Sequence, residues 1–462
     1  MVFPICTNCL TLDDMNNFLG YEIEFNTSWD LAERQSADVF WAKPKTVEQI
    51  IKLVKAANEF GLNIRPVGTK HSWSPLYADN GDIGLDLTLL EGSRFTLDKE
   101  RMLASSLQPT ATYVYAIDLV DGQGNVRHFN EDDDKDVIAA CKVHLGMCGI
   151  IYNTTVKVVP DTTFKFTKFN VRVKDLMFNP ENIKDLVMNN DGLYLLYTAF
   201  TGATDEEIHA RDDDELQRPP DSWTPLNDIL QVWIYNQEDG TTTHDIGEEF
   251  PETWTLNDNT EYEATSDYMR LSETIFFPAA FLDSVHLRRN TGWIGTESED
   301  FSDSQRTIKN FFQVIEESLK KYGMTYESYY GLFKWITHQD DCVLCHTKVA
   351  GNFKTVIDYE WALSSKICPF NSTDELIQDK LQFTEAATGL LSDNVVPQWA
   401  KIYDSIPGIY DHIRSIYGSN FQEFISIRNE KSLDPGNIFM NSMLKTLFQD
   451  FLEEKGAAKS EL

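Results

Sequence analysis

The fold is decided by the stretch Arg65-Pro66-Val67-Gly68-Thr69-Lys70-His71-Ser72-Trp73-Ser74-Pro75. Apolar residues at helical spacing predict an amphipathic helix over residues 46–60 just before it, and Gly61 can end that helix. A short extended run, residues 62–67, leads into the loop, and a new strand is predicted after it. The sequence therefore places a loop of small residues carrying His71 at the carboxyl end of a strand. Backbone N–H groups in such a loop can bind an anionic group such as a pyrophosphate.

Three more stretches of the sequence contain recognisable motifs. A glycine turn, residues 144–149, runs into an alternating strand that ends at Pro160. Val396-Pro397-Gln398-Trp399-Ala400-Lys401 lies near the end of the chain. Ile427-Arg428-Asn429-Glu430-Lys431-Ser432-Leu433-Asp434-Pro435-Gly436-Asn437-Ile438-Phe439-Met440-Asn441 follows it. These are the segments expected to accompany the His71 loop in one functional site.

The four segments, in this order, resemble those of the FAD-linked oxidoreductases of the vanillyl-alcohol-oxidase (PCMH-type) family, specifically the sugar-1,4-lactone and alditol oxidase branch. The resemblance reaches from about residue 44 to residue 448. It implies an α+β fold in which a PCMH-type FAD-binding domain, made of the first and last segments, accompanies a central mixed α/β substrate cap. The domain bounds predicted on this basis are 32–160, 161–373 and 374–448, with the first domain truncated and the last segment helical.

The resemblance also assigns roles to single residues. In the family the loop holds the FAD pyrophosphate, and in many members its histidine bonds covalently to the flavin, so His71 is the candidate for that linkage. The cofactor-binding residues implied are Gly68, Thr69, Lys70, His71, Ser72, Gly149 and Ile150. Lys401 is the implied catalytic residue, as a hydrogen-bond donor to substrate. The implied reaction is oxidation of a sugar-derived lactone or polyol, of the D-arabinono- or L-gulono-1,4-lactone oxidase type, with hydride transfer to flavin and oxygen as the acceptor.

The chain also departs from the family in ways that favour an alternative. Lys70 stands where the family prefers glycine, and Gln398 replaces a histidine. Between residues 98 and 112 the chain passes almost directly into a hairpin, where the family has tens of further residues that wrap the flavin. No Glu-x-Arg pair occurs between Glu360 and Lys401, although the family uses one to hold substrate. The alternative is therefore a pseudoenzyme that binds flavin poorly and acts as a binding module, or a truncated non-functional isoform.

Composition excludes several other classes of protein. The 462 residues carry a formal net charge of −33, which argues against nucleic acid and anionic membranes as partners because both bind basic surfaces. We find no apolar run long enough to cross a bilayer and no secretory signal, so a cytoplasmic location is expected. Such an acidic chain suits a neutral lactone or polyol better than an acidic substrate.

Cysteine usage leaves one rival site open. Cys342-Val343-Leu344-Cys345-His346 has the form of a c-type haem attachment motif, and with His338 it has spacing that would also suit zinc. Reduced structural thiols are the expectation for these cysteines in an intracellular protein, ahead of zinc and then haem. No metal site is therefore predicted.

Overall fold

A computed structural model describes most of the chain. The described residues are 10–27, 37–68, 72, 74–91, 97–98, 103–105, 113–158, 160–199, 222–238, 245–270, 287–296, 300–322, 329–337, 342–345, 355–364, 395–401, 403–404 and 406–452. Their helices are α1 (Leu12–Leu19), α2 (Val47–Phe60), α3 (Lys135–Lys142), α4 (Val173–Leu176), α5 (Pro180–Met188), α6 (Ser302–Tyr322), α7 (Ile409–Glu430) and α8 (Ser442–Leu447), with short 3-10 turns at Leu87–Leu89 and Pro225–Asn227. Their strands are β1 (Glu24–Thr27), β2 (Asp38–Ala42), β3 (Ile64–Val67), β4 (Ile83–Asp86), β5 (Leu97–Asp98), β6 (Leu103–Ser105), β7 (Val114–Val120), β8 (Val126–Asn130), β9 (Ile150–Lys157), β10 (Thr163–Arg172), β11 (Gly192–Thr198), β12 (Ile229–Gln237), β13 (Phe250–Thr255), β14 (Glu261–Arg270), β15 (Leu287–Thr296), β16 (Tyr329–Thr337), β17 (Thr355–Ser364) and β18 (Val395–Pro397).

The chain divides into two compact units. The first contains Met1–Val159, Gln339–Lys348 and Tyr410–Leu462, and the second contains Pro160–His338 and Val349–Ile409. The predicted domain bounds place the first division at nearly the same point. They differ at the return to the first unit, which comes at Tyr410 rather than residue 374, and they lack the excursion of residues 339–348.

The first unit begins with a four-stranded sheet in the order β1-β2-β4-β3. The strand β4 pairs in parallel with both β2 and β3, so α2 is the crossover between two parallel strands. The predicted helix is confirmed: Thr46 caps its start, with the hydroxyl accepting the N–H of Gln49 at 3.4 Å, and Gly61 ends it at φ +68°. The buried face of α2 packs onto this sheet with Ile64 and Ile83. This packing positions the carboxyl end of β3.

A second sheet completes the strands of this unit, in the order β5-β6-β9-β7-β8. All its pairs are antiparallel. The predicted hairpin is confirmed as β7 and β8. Its turn is held by the buried Asp121 carboxylate, which accepts the N–H groups of Gln123 and Asn125, each at 2.9 Å. The strand β9, next to β7, begins at the glycine turn predicted to contact the cofactor.

The second unit contains a nine-stranded antiparallel sheet. Its order is β13-β14-β10-β12-β11-β16-β17-β15-β18. The helix α6 packs on it through aromatic rings: Phe312 lies 5.0 Å from Tyr197 of β11, and Phe311 lies 5.2 Å from Phe333 of β16, measured between ring centroids. The predicted helix near residues 306–322 is confirmed, and β18 is a strand within the third predicted domain, which was expected to be helical.

The cysteines of the CxxC motif differ from the prediction. Cys342 and Cys345 form a disulfide rather than a pair of reduced thiols, so in this structure neither sulfur is a haem attachment point or a metal ligand; His338 and His346 lie outside the described residues. Within the described residues, no group of three or more His, Cys, Asp and Glu side chains could hold a metal ion. Cys141 and Cys148 are buried and free. None of the described helices is both long enough and apolar enough to cross a membrane.

Candidate functional site

The strand β3 leads into the loop that the sequence singles out. No described atom lies within 4 Å of the position that a Cβ on Gly68 would take, so the backbone is open on that side. Further along, the backbone carbonyl of Ser72 accepts a hydrogen bond from the Tyr77 hydroxyl at 2.7 Å. Three of the predicted cofactor-binding residues lie outside the described part of the chain: Thr69, Lys70 and His71.

The guanidinium of Arg65 joins three distant segments of the first unit. Its Nε donates to the carbonyl of Leu76 at 2.8 Å, and its Nη2 donates to the carbonyl of Leu145 at 2.7 Å. Its Nη1 donates to the carbonyl of Phe439. The planar fork of the side chain suits three acceptors in three directions. The loop after Ser72, the glycine turn and the closing segment of the chain are therefore held at one point.

This cation is buried and still charged at neutral pH. Arg65 is 2% exposed. Burial lowers the pKa of Arg65 to about 10, while the carboxylates of Asp79 and Asp434 act to raise it. A positive charge therefore lies next to the glycine turn predicted to contact an anionic cofactor, and next to the segment that follows the loop.

The closing segment clamps the loop directly. The Asn441 amide nitrogen donates to the carbonyls of Pro75 and Tyr77, both at 2.7 Å. Ser442 bonds to the carboxylate of Asp79 through its N–H at 2.6 Å and through its hydroxyl at 2.8 Å. The predicted closing motif thus has a structural role in shaping the cofactor loop.

A tight turn precedes Gly149. The N–H of Met147 donates to the carbonyl of His144 at 2.8 Å, and the two central residues both have positive φ, +50° for Leu145 and +76° for Gly146. Positive φ at both central positions is typical of a type I′ turn. A Cβ on Gly146 would stand 3.0 Å from both Nη atoms of Arg65. The turn therefore needs glycine there for its backbone conformation and for the approach of the guanidinium.

Gly149 and Ile150, the predicted cofactor residues of this turn, both pack tightly against the protein. Gly149 has φ +146°, and a Cβ there would stand 2.8 Å from the carbonyl oxygen of Val120. The side chain of Ile150 is fully buried and belongs to the apolar core that contains Phe439. Any contact that these two residues make with a cofactor is therefore a contact of their backbone.

His144, at the start of the turn, is a half-buried histidine held in one tautomer. Its Nδ1 accepts the backbone N–H of Cys148 at 3.2 Å. Burial, and secondly the nearby Arg65 guanidinium, lower the pKa of His144 to about 4. The imidazole is therefore neutral at neutral pH, with its proton on Nε2.

The turn is braced from below by a buried ion pair. Arg428 donates from Nη2 to the Asp434 carboxylate at 2.5 Å and from Nε to the carbonyl of Met147 at 3.0 Å. Asp434 in turn accepts the N–H groups of Ile438 and Phe439, each at 3.0 Å. Because each charged atom has a partner, the pair can be buried at tolerable cost. It holds the carbonyl of Phe439 where Arg65 meets it.

Lys401, the predicted catalytic residue, belongs to the second unit. It follows the edge strand β18 in a turn, where its N–H donates to the carbonyl of Gln398 at 3.0 Å. The neighbouring Trp399 is 4% exposed and anchors this turn. The four described cofactor candidates and Lys401 thus fall in different units of the chain.

Sequence reasoning missed Arg65 and gave His144 no role. A signal for Arg65 existed, because an arginine in a short strand between apolar neighbours must find partners when it is buried. No sequence signal points to its three acceptors, since they are backbone carbonyls at residues 76, 145 and 439.

The described residues fit FAD. The loop offers an open backbone at Gly68, where a bulky residue would hinder approach to phosphates. Arg65 supplies a buried positive charge at the point where the segment after this loop, the glycine turn and the closing segment meet. Both features suit a dianionic pyrophosphate.

Comparison with known proteins agrees with this fit. Residues 40–106, which run from β2 to beyond β6, match the family model described as "FAD binding domain". This part of the chain is an FAD-binding domain. The predicted cofactor, FAD, is supported by this match, and the loop residues predicted to bind it all lie inside the matched range. No curated protein matches the chain in sequence.

Solved structures share the fold over nearly the whole chain. BBE-like 1 from Physcomitrella patens has a TM-score of 0.61 at 13% identity and covers 93% of this chain and 98% of its own. The xylooligosaccharide oxidase from Myceliophthora thermophila C1, in complex with xylobiose, has a TM-score of 0.60 at 12% identity, with 93% and 98% covered. The 6-hydroxy-D-nicotine oxidase from Arthrobacter nicotinovorans has a TM-score of 0.57 at 13% identity, with 95% of each chain covered. The predicted α+β fold, with its FAD-binding domain, is confirmed.

Proposed function

We propose that this chain is an FAD-dependent oxidoreductase that oxidises a CH–OH group of a sugar-derived lactone or polyol. One observation carries the proposal. The loop at Gly68 and the turn at Gly149, which the sequence assigns to the cofactor independently, are tied together by Arg65 within the unit that contains the FAD-binding domain. Several similar structures are oxidases by their names, including ones for xylooligosaccharides and cholesterol.

Bound FAD would supply the redox chemistry, by accepting a hydride from the C–H of a carbinol. The protein residues would hold and orient it. Backbone N–H groups from Gly68 to Ser72, with Lys70, would bind the pyrophosphate. His71 would be the covalent attachment point, and the backbone at Gly149 and Ile150 would line the cofactor.

Lys401 is the proposed contact to substrate. Its ammonium would donate a hydrogen bond to a substrate oxygen. Oxygen is the proposed electron acceptor. A neutral polyol or lactone suits a chain with a formal net charge of −33, because an acidic substrate would be repelled within the Debye length of roughly 8 Å at physiological salt.

The first test is the visible absorption spectrum of the purified protein before and after acid precipitation. We expect a flavin spectrum, with the colour remaining in the pellet because the linkage at His71 is covalent. In the His71→Ala variant the colour should move to the supernatant. A folded protein that is colourless and takes up no added FAD would instead be a pseudoenzyme acting as a binding module.

The substrate class is tested by oxygen consumption. We expect turnover with polyols or 1,4-lactones and a fall of at least tenfold in kcat/KM for Lys401→Ala, as for the loss of a transition-state hydrogen bond. Lys309→Ala, on the exposed side of α6, is the matched control and should leave turnover unchanged. Turnover only with oligosaccharides or sterols would contradict the lactone and polyol assignment.

The cellular compartment is part of the proposal. The cytoplasm was predicted from the sequence, whereas the disulfide between Cys342 and Cys345 favours an oxidising compartment, because disulfides are rare in the cytosol. Cell fractionation of the natural source distinguishes the two.

A further inference from the structure

His144 has one ring nitrogen, Nδ1, that is hydrogen-bonded within the described part of the chain, and a second, Nε2, that is not. Its Nδ1 accepts the N–H of Cys148 at 3.2 Å, which obliges the neutral ring to carry its proton on Nε2. Among the described residues, none forms a hydrogen bond with this Nε2–H. The ring is therefore an oriented hydrogen-bond donor whose acceptor is not supplied by the described protein.

The surroundings keep this donor neutral. Protonation would turn Nδ1 into a donor and break its bond to the Cys148 N–H. It would also place a second positive charge near Arg65, and burial adds to this cost. The histidine thus donates without changing charge across the neutral pH range.

The position of His144 connects it to both proposed cofactor segments. The next residue, Leu145, gives its carbonyl to Arg65, and Arg65 also binds the carbonyl of Leu76 in the loop that follows Ser72. The backbone next to His144 is therefore linked to the segment after the loop by two hydrogen bonds from one guanidinium.

We propose that His144 is a cofactor-binding residue, whose Nε2–H donates a hydrogen bond to an oxygen of bound FAD. The inference rests on the proposed function, since it needs FAD at this turn. FAD presents phosphate, ribityl and ring carbonyl oxygens, all of which accept such a bond. A neutral donor serves any of them without adding charge beside the Arg65 cation.

Two variants separate a contact with FAD from a role in shaping the turn. The amide oxygen of asparagine occupies the place of Nδ1, so His144→Asn keeps an acceptor for the Cys148 N–H and removes the outer donor. The amide nitrogen of glutamine reaches the place of Nε2, so His144→Gln keeps the outer donor and removes the inner acceptor. Both are made in the full chain with His71→Ala, so that FAD binding is reversible and can be titrated by flavin fluorescence.

We expect a crossed result. His144→Asn should raise the Kd for FAD by roughly tenfold, whereas His144→Gln should stay within about threefold of the parent. The melting temperature of the FAD-free protein should fall more for Gln than for Asn. If the His71→Ala parent takes up no flavin while the natural chain does, flavin incorporation into the same two variants with His71 intact replaces the titration.

Other outcomes overturn the inference. Equal loss of affinity in both variants, or loss only in His144→Gln, would mean that His144 merely shapes the turn. If the natural chain and His144→Asn bind FAD equally well, His144 makes no contact with FAD, and the proposed function is unaffected. If the natural chain binds no FAD at all, both the contact and the proposed function are contradicted.

Discussion

At the scale of single residues, the turn from His144 to Gly149 shows how a few atoms decide a local conformation. Leu145 adopts φ +50°, which a side chain with a Cβ seldom does, and its carbonyl is the acceptor that Arg65 meets at 2.7 Å. The bond to a charged donor, worth about 1.5–3 kcal/mol, offsets the strain of about 1 kcal/mol or more.

We predict that the stability of the fold depends on pH through His144. The pKa of this residue is about 4 in the folded chain and about 6.5 when unfolded. Between these values the unfolded chain binds a proton that the folded chain does not, so the free energy of unfolding falls as pH drops. We expect the free energy of unfolding to fall by about 2 kcal/mol between pH 7 and pH 5. In denaturant unfolding, the natural chain should lose about 2 kcal/mol more than His144→Gln between these two pH values; equal losses would contradict the prediction.

A second residue-scale prediction concerns Gly146. Its replacement by alanine should lower the free energy of unfolding by about 2–4 kcal/mol, because strain at positive φ adds to the clash with Arg65. Gly61→Ala is the matched control, with φ +68° and nothing within 4 Å of the added Cβ, so it should lose about 1 kcal/mol. If urea titrations show equal losses of stability for Gly146→Ala and Gly61→Ala, the Arg65 side chain moves aside at no measurable cost in free energy.

At the scale of elements, buried side chains connect β3, the glycine turn and the closing segment in place of regular hydrogen-bond ladders. We predict that Arg65→Lys lowers the free energy of unfolding by about 2–4 kcal/mol, since an ammonium is a point donor that cannot reach three carbonyls set in a fork. Arg306→Lys, at a half-exposed pair with Asp303, should change it by less than about 0.5 kcal/mol. Chemical denaturation measures both, and a mild effect of Arg65→Lys would mean that water replaces the lost bonds.

The disulfide loop supports the end of α3, the helix that leads into the glycine turn. The N–H of Val343 donates to the carbonyl of Ala139 at 3.0 Å, so it satisfies one of the carbonyls left open at a helix end. Asn420 of α7 holds the other side, by donating to the Val343 carbonyl at 3.1 Å.

We predict that reducing this disulfide speeds hydrogen exchange in residues 139–149. The bridge closes a short loop and contributes roughly 2 kcal/mol by restricting the unfolded chain. Its loss should weaken the hydrogen bond from the Val343 N–H to the end of α3. The double variant Cys342→Ser, Cys345→Ser should exchange fast with or without reductant. If reductant leaves the hydrogen exchange of residues 139–149 unchanged in the natural chain, the contact between Val343 and the end of α3 persists without the disulfide.

At the scale of the whole molecule, charge is the dominant property. A formal net charge of −33 repels itself in the compact state, and salt screens that repulsion. We predict that the melting temperature rises by several degrees when sodium chloride is increased from about 10 mM to about 150 mM. Potassium chloride at equal ionic strength should act equally, since screening depends on ionic strength; a melting temperature that falls or stays constant would be inconsistent with this.

Much of the fold was accessible from the sequence because its signals are local. The capped helix α2, the hairpin of β7 and β8, and the helix α6 follow from apolar spacing and turn residues. The ordered motifs led to an FAD-binding domain, and residues 40–106 match one.

The remaining features depended on tertiary structure, because their partners are far apart in the chain or are backbone atoms without a sequence signature. The hold of Arg65 on residues 76, 145 and 439 joins positions separated by up to 374 residues. The return to the first unit at Tyr410 and the excursion of Gln339–Lys348 are likewise long-range. Pairing of Cys342 with Cys345 needed the geometry of the loop. Sequence by itself identified the loop after β3, the glycine turn and the closing segment, which lie in one unit. Only packing decided where the chain returns to that unit and which buried side chains hold it together, since spacing along a chain does not encode the distances between its folded segments.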